Sequence, residues 1–284
     1  MKRIMVVPNP NKDSALEITK KTISRFTDLG FTINMDKSYS KFAISSVNYL
    51  NDPAFESDLI VVIGGDGSVI DASLDAVRAD IPILGINLGK VGYLSEVDPC
   101  EIDILSKIQS GEYKVVERML LSAAKYTVSG ECIYSSRLAV NDVIISNDVC
   151  SIAELAVENS QGDIIKYRAD GVVVATPIGS TAYSLSAGGP VVSHNIDSII
   201  VTPVCPHSLF NRSVIFEPSE SIRVTNKSVG DISVGMDGRG FTRLASGECV
   251  VIKRSEKRLK MLTFTKNKML SALFKKIRAL EESV

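Results

Sequence analysis

Up to about Val115, short apolar runs alternate with stretches of helical periodicity. Ile4 to Val7 reads as a first buried strand. Within Asp13 to Leu29, Ala15, Leu16, Ile18, Ile23 and Phe26 recur on one helix face, with Asp13 or Ser14 as the cap and Gly30 as the stop. Phe31 to Met35 predicts a second strand, Ser40 to Leu50 a second helix, and Asp58 to Ile63 a strand apolar enough to be buried on both faces. After Gly64-Gly65-Asp66-Gly67, Val69, Ile70, Leu74 and Val77 line one face of a helix over Ser68 to Val77. A strand at Ile83 to Ile86 and a helix at Glu101 to Ser110 complete the series, and strands separated by helices imply a parallel sheet.

Beyond Val115 the apolar spacing falls to two. Strands are predicted at Leu120 to Val128, Val143 to Ile145, Ala153 to Val157, Val172 to Ala175, Ile199 to Val201, Ile222 to Val224 and Cys249 to Lys253, with Gly, Asn and Ser turns between them. Lys266 to Leu280 returns to helical spacing, with Leu270, Leu273, Phe274 and Ile277 on one face. The predicted architecture is an α/β N-terminal domain with a parallel sheet (1–115), a mainly antiparallel β C-terminal domain (116–264) and a C-terminal helix (265–284) packing back on the first domain. For that helix, a solvent-facing tail or an oligomer contact fits the pattern equally well.

Composition narrows the function classes. Lys and Arg total 32 against 33 Asp and Glu, so no global basic field gathers nucleic acid, and the basic cluster from Lys253 to Arg278 reads first as a solvated surface. No apolar run approaches the ~20 residues of a membrane span. The five cysteines are widely spaced and never form C-x-x-C, which suits reduced thiols in the cytoplasm rather than a disulfide or metal framework. His194 and His207 have no spaced partners for a metal site or a triad.

The chemistry concentrates at Gly64-Gly65-Asp66-Gly67-Ser68. A glycine turn at the carboxyl end of a parallel strand lies where ligands enter such sheets, and the amides that open the next helix favour an anion. Asp66 is out of place in a plain phosphate cradle, because a carboxylate repels phosphate unless a metal, a proton or an acceptor hydroxyl requires it. Phosphoryl transfer meets that requirement. The spacing matches neither G-x-G-x-x-G nor a P-loop; a simple Asp-Gly turn is the competing reading. By its residues alone Ala169-Asp170-Gly171 reads first as a hairpin turn between Ile164 to Arg168 and Val172 to Ala175, and Asn141-Asp142 equally as a bulge or bend. The hydroxyls between Gly179 and Pro190 offer hydrogen bonds to ribose and amide groups.

Gly64-Gly65-Asp66-Gly67 closely resembles the signature turn of NAD kinases, shared more loosely with phosphofructokinases and with diacylglycerol and sphingosine kinases. Three further stretches resemble NAD kinases specifically: Pro82 to Leu94, Asn141-Asp142, and Arg168-Ala169-Asp170-Gly171 running through Thr176 to Pro190. Their order and spacing extend the resemblance to about Arg239.

The resemblance implies phosphorylation of the 2'-hydroxyl of the adenosine ribose of NAD by ATP or a related donor, giving NADP. Asp66 corresponds to the residue that contacts that hydroxyl and is called the proton acceptor, and Gly64, Gly65, Gly67 and Ser68 to the phosphate-binding turn. Asn141 and Asp142 match the pair that binds the nicotinamide side, with Asp142 standing where Glu is usual. Thr181, Ala182, Tyr183, Ser184, Leu185 and Ser186 match the segment that binds adenine and adjoining parts. Asp170, with Arg168 beside it, matches an aspartate that reaches a nicotinamide bound to a neighbouring subunit, which implies a homodimer or homotetramer. Tyr93 can stack on a base, and Asp237 and Arg239 resemble a late loop near the ligand. A divalent cation, Mg²⁺, is expected on the donor phosphates. Asp66 should orient the hydroxyl and take its proton late in the reaction. A lipid or sugar kinase, or a dinucleotide-sensing module without chemistry, are the competing functions.

Overall fold

The longest fully apolar run in the first part of the chain, Leu59-Ile60-Val61-Val62-Ile63, is completely buried, as a strand covered on both faces must be. The computed structural model describes residues 1–14, 16–89, 92–147, 152–264 and 274. Contacts divide the chain into two units: Met1–Glu117 with the segment from Leu259, and Arg118–Arg258.

The first unit runs β1 (Arg3–Pro8), α1 (Glu17–Asp28), β2 (Thr32–Asp36), a 3₁₀ turn (Lys37–Phe42), β3 (Val47–Leu50), β4 (Leu59–Gly64), α2 (Asp66–Ala79), β5 (Ile83–Asn87), a 3₁₀ segment (Pro99–Leu105) running into α3 (Ser106–Ser110), and the start of β6 (Lys114–Tyr126). Its parallel strands lie in the order β3-β2-β1-β4-β5. The order reverses between β1 and β4, so the carboxyl ends of those two strands flank the point where open α/β sheets bind ligands. Ile4, Val6, Phe26, Ile33, Leu59, Val61, Ile63 and Leu84 centre the core.

Three expectations need correction here. Ser40 to Leu50 is not a helix: Val47 to Leu50 pairs in parallel with β2, because Ile33 offers a register partner to Val47 and sheet hydrogen bonds outweigh weak helical periodicity. The first helix begins at Glu17, and Asp13 reaches forward to cap it, accepting from Thr19 N at 2.8 Å and Ile18 N at 3.3 Å. In α2 the buried face is Val69, Ala72, Ser73, Ala76 and Val77, while Leu74 is exposed.

The second unit continues with β7 (Cys132–Ala139), β8 (Asp142–Ser146), β9 (Ala153–Glu158), β10 (Ile164–Ala169), β11 (Gly171–Ala175), a single helical turn α4 (Tyr183–Ser186), β12 (Ile199–Val204), β13 (Val214–Phe216), β14 (Ser221–Asn226), β15 (Ile232–Met236), β16 (Arg239–Leu244) and β17 (Cys249–Thr263). One antiparallel sheet orders β13-β12-β11-β8-β15-β16, and a second set pairs β10-β9-β14-β17. Residues from both, among them Val143, Leu155, Tyr167, Val172, Ile199 and Val250, share one core. β11 is buried on both faces, since Val173 and Ala175 pack with Val192 and Ile200 on the other side. The hairpin expected between Ile164 to Arg168 and Val172 to Ala175 is absent: β10 pairs with β9, whereas β11 pairs with β8 and β12 in the other sheet. Asp170-Gly171 is therefore a crossing between sheets. The helix expected over Lys266 to Leu280 lies, apart from Phe274, outside the described residues.

Candidate functional site

β4 ends at Gly64, Gly65 is the N-cap in extended conformation, and Asp66 is already the first residue of α2. Ser68 N and Val69 N donate back to Gly65 O at 2.9 and 3.2 Å, and the amides ahead of them, which have no carbonyl further back in the helix, give this end of α2 its positive character. The Asp66 carboxylate is held in place from outside the helix: Oδ2 accepts Tyr93 N at 3.0 Å and Oδ1 accepts Leu94 N at 3.1 Å. Each carboxylate oxygen retains a further acceptor direction, so an incoming hydroxyl can still donate to it. Tyr93 is thus a backbone partner of Asp66, and burial together with the Asp66 charge raises its phenol above the ordinary value.

The loop leaving β1 contributes residues that the motif reading missed. Asn9 donates its amide N–H to Ile63 O at 2.9 Å, and its Nδ2 donates to Ser68 Oγ at 2.8 Å, which ties the end of β1 to the start of α2. The Lys12 ammonium lies over Gly65, 2.5 Å from where a Cβ on that residue would stand, and 3.9 Å from a Cβ at Gly89. Gly65 therefore leaves room for a cation above the turn. The sequence signal was present in Pro8-Asn9-Pro10-Asn11-Lys12 directly after a strand, but only the strand order shows that this loop and the glycine turn flank the same switch point.

In the second unit, Asp142 opens β8 opposite Ala175 on β11. Asn141 accepts Thr176 N on its carbonyl at 2.8 Å, and Thr176 Oγ1 donates to Val140 O at 2.7 Å. Gly179 packs so closely that a Cβ there would collide with the Asn141 carbonyl oxygen. Asn141-Asp142 and the segment from Thr176 to Ser186 are thus brought together. Asp142 is almost fully buried, and its carboxyl is pushed up to about 7 by burial and by the neighbouring Asp237 charge.

Besides Thr176 Oγ1, three hydroxyls in this segment are engaged within the protein, Ser180 Oγ donating to Pro177 O at 2.6 Å. Thr181 Oγ1 donates to Ile178 O at 3.1 Å, and Ser184 Oγ pairs with Thr202 Oγ1 at 3.1 Å in a buried contact. Both are buried and pin the turn, while Tyr183 and Ser186 are exposed and Ala182 and Leu185 partly so. Asp237 likewise directs its carboxylate at backbone amides of residues 140 to 142, with Arg239 exposed beside it. Arg168 and Asp170 are exposed, and Asp170 precedes the far end of β11 from Asp142, five residues or roughly 17 Å away along the strand. His194 is pushed down to about 4 by burial and by Arg118. Among the described residues, no three His, Cys, Asp or Glu side chains converge on a metal position.

The family model of the ATP-NAD kinase N-terminal domain matches residues 4–113, and that of the C-terminal domain matches residues 140–264. The NAD kinase of Caldanaerobacter subterraneus subsp. tengcongensis is 34% identical over 264 residues, covering 90% of this chain and 91% of the relative. That of Carboxydothermus hydrogenoformans is 35% identical over 274 residues, covering 94% and 97%. Among solved structures, yeast NADH kinase complexed with NADH is similar in fold, with a TM-score of 0.84 at 24% identity over 96% of this chain and 86% of that one. An NAD kinase from Archaeoglobus fulgidus in complex with ATP has a TM-score of 0.73 at 25% identity over 97% and 98%.

Proposed function

This chain belongs to the ATP-NAD kinase family, and on that premise we propose that Asp66 is the residue that engages the accepting hydroxyl. The reaction is transfer of the terminal phosphoryl group of ATP to the 2'-hydroxyl of the adenosine ribose of NAD, giving NADP and ADP. The 2'-oxygen forms the new P–O bond as the bond to the ADP oxygen breaks, and the hydroxyl proton passes to Asp66. The observation that carries this reading is the Asp66 carboxylate, anchored by the Tyr93 and Leu94 amides beside the positive end of α2.

In this reading the Gly67 amide at the positive end of α2 and the Lys12 ammonium receive the donor phosphates, for phosphoryl transfer depends on positioning and charge neutralisation. Mg²⁺ needs no dedicated cage, since it takes one or two carboxylates together with phosphate oxygens. Asp66 is the carboxylate placed to hold it, and the ion would neutralise charge on the donor. A carboxylate is too weak a base to take the proton of a ribose hydroxyl in the ground state, so Asp66 acts by orienting the hydroxyl and accepting its proton late, as that proton becomes acidic.

Asn141 and Asp142 take the nicotinamide side of NAD. The turn from Thr181 to Ser186 takes the adenine side, with Tyr183 and Ser186 offering side chains and the others offering backbone. The working form is a homodimer or homotetramer. Asp170, roughly 17 Å along β11 from Asp142, serves a nicotinamide held by a second copy. His207 N donates to Arg168 O at 2.7 Å, which brings the following exposed Leu209 and Phe210 to the Asp170 end of β10 and β11, and an apolar surface there suits contact with a copy. The reaction belongs to the cytoplasm, in keeping with the free Cys100, Cys132, Cys205 and Cys249.

The direct test incubates the purified chain with ATP, Mg²⁺ and NAD, and follows NADP with an NADP-specific dehydrogenase. NADP should accumulate, and 2'-deoxyadenosine NAD should bind without being phosphorylated. Phosphate transfer to the deoxy analogue would refute the acceptor assignment.

A further inference from the structure

Asp237 and Gly238 join β15 to β16 with φ values of 50° and 75°. Two consecutive left-handed residues make the tight hairpin turn for which Asp-Gly is favoured. The turn explains the residue types but not what the side chain does. Asp237 Oδ2 accepts Val140 N at 2.8 Å, and Oδ1 accepts Asn141 N at 2.7 Å and Asp142 N at 3.2 Å. Its own amide donates to Asp142 O at 3.1 Å. One carboxylate thus satisfies three successive amides at the entry to β8. Charge-assisted bonds of this kind are about twice as strong as neutral ones.

The same three residues are held from the other side by Thr176, which donates to Val140 O and Asn141 O, and by the close approach of Gly179. Every backbone group that could let Asn141 drift is therefore spoken for, while among the described residues the Asn141 carboxamide and the Asp142 carboxyl have no hydrogen-bond partner of their own. We infer that Asp237 is a positioning residue: it does not touch NAD, but its carboxylate fixes the backbone of residues 140 to 142 so that Asn141 and Asp142 meet the dinucleotide preorganised. This deepens the assignment of Asn141 and Asp142 as NAD-binding residues and rests on it.

The electrostatics agree with the geometry. Asp142 is raised by burial first and by the Asp237 charge second. Asp237 is itself raised by burial, but the three amides and the nearby Arg239 oppose this. Asp237 and Arg239 are the charged groups that face this corner. Removing the Asp237 charge must therefore lower the pH at which Asp142 ionises.

The test compares Asp237→Gly, which keeps the left-handed turn and deletes the carboxylate, with Asp237→Asn, which keeps one acceptor oxygen, and with Asn141→Ala as the reference for lost NAD contact. Steady-state kinetics are measured well below each variant's melting temperature. Asp237→Gly should raise KM for NAD at least tenfold, with kcat within about threefold and KM for ATP unchanged, the pattern of lost ground-state binding. Asp237→Asn should recover much of that loss, and the fall of its NAD KM with rising pH should move to lower pH. A folded Asp237→Gly with KM for NAD within twofold of the parent, beside an Asn141→Ala that raises it, overturns the positioning role and leaves the site assignment standing. An Asn141→Ala with unchanged KM removes the assignment beneath it, and the inference with it. If Asp237→Gly does not fold, an Asp237→Asn pH profile identical to the parent's overturns the inference.

Discussion

Asp142→Asn should stabilise this protein at alkaline pH while weakening its function. A carboxyl raised from 3.8 to about 7 in the folded state stabilises the fold fully below 3.8. That contribution is lost as pH rises toward 7, and above 7 the folded protein carries a buried, uncompensated charge. At about 1.36 kcal/mol per pH unit, the loss approaches roughly 4 kcal/mol at pH 8. Asp142 and Asp237 titrate as a coupled pair, so this is an upper bound. Asn matches the size without the charge, and an unpaired buried carboxamide costs about 1–2 kcal/mol at any pH. The variant should therefore melt a few degrees above the parent at pH 8, and level with it or lower at pH 5. Differential scanning calorimetry of both proteins at pH 5, 6.5 and 8 gives the comparison. A gap between the two proteins that is the same at all three pH values would refute the electrostatic reasoning, as would a variant that melts lower at pH 8.

Gly179→Ala should raise KM for NAD tenfold or more, because its Cβ would strike the Asn141 carbonyl, which the Thr176 amide holds in place; steady-state kinetics check this, and unchanged NAD binding would contradict it. Lys12→Met should raise KM for ATP at least severalfold and leave KM for NAD alone, since its ammonium lies over Gly65 on the donor side of the assignment; an effect on NAD instead would reverse the assignment. Asp170→Ala and Asp66→Asn chains should each be nearly inactive alone, yet co-expressed they should regain about a quarter of the parental sites by random pairing in a dimer. No recovery in a mixed dimer isolated through two different tags would place Asp170 and Asp66 in the same copy's site.

The sequence carried the parallel first unit well, because Leu59 to Ile63 and the glycine turn after it leave few alternatives to a buried strand feeding a helix. It failed at Val47 to Leu50, where a short segment gains its strand conformation only from its neighbour Ile33. The second unit's strands were visible as period-two runs, but their sheets were not: adjacency of Ile164 to Arg168 and Val172 to Ala175 suggested a hairpin, whereas the chain switches sheets at Asp170. The same limit governed the site. Asp66 and Asn141-Asp142 could be read from local motifs, while Lys12 over Gly65, Thr181 and Ser184 turned into internal bonds, and Asp237 gripping residues 95 to 97 positions away depend on tertiary contacts.

The turnover of Asp66→Asn with saturating NAD, ATP and Mg²⁺ tests the central assignment most directly. Asn can accept from only one of the Tyr93 and Leu94 amides that the carboxylate now accepts from, a loss of about 1 kcal/mol in stability that leaves the fold intact. It cannot take the hydroxyl proton. With melting temperature and NAD affinity little changed, kcat should fall by roughly two to four powers of ten, the usual worth of general acid–base assistance. A folded Asp66→Asn enzyme that keeps more than about a tenth of the parental kcat, a barrier change of no more than about 1.4 kcal/mol, would contradict the role given to Asp66.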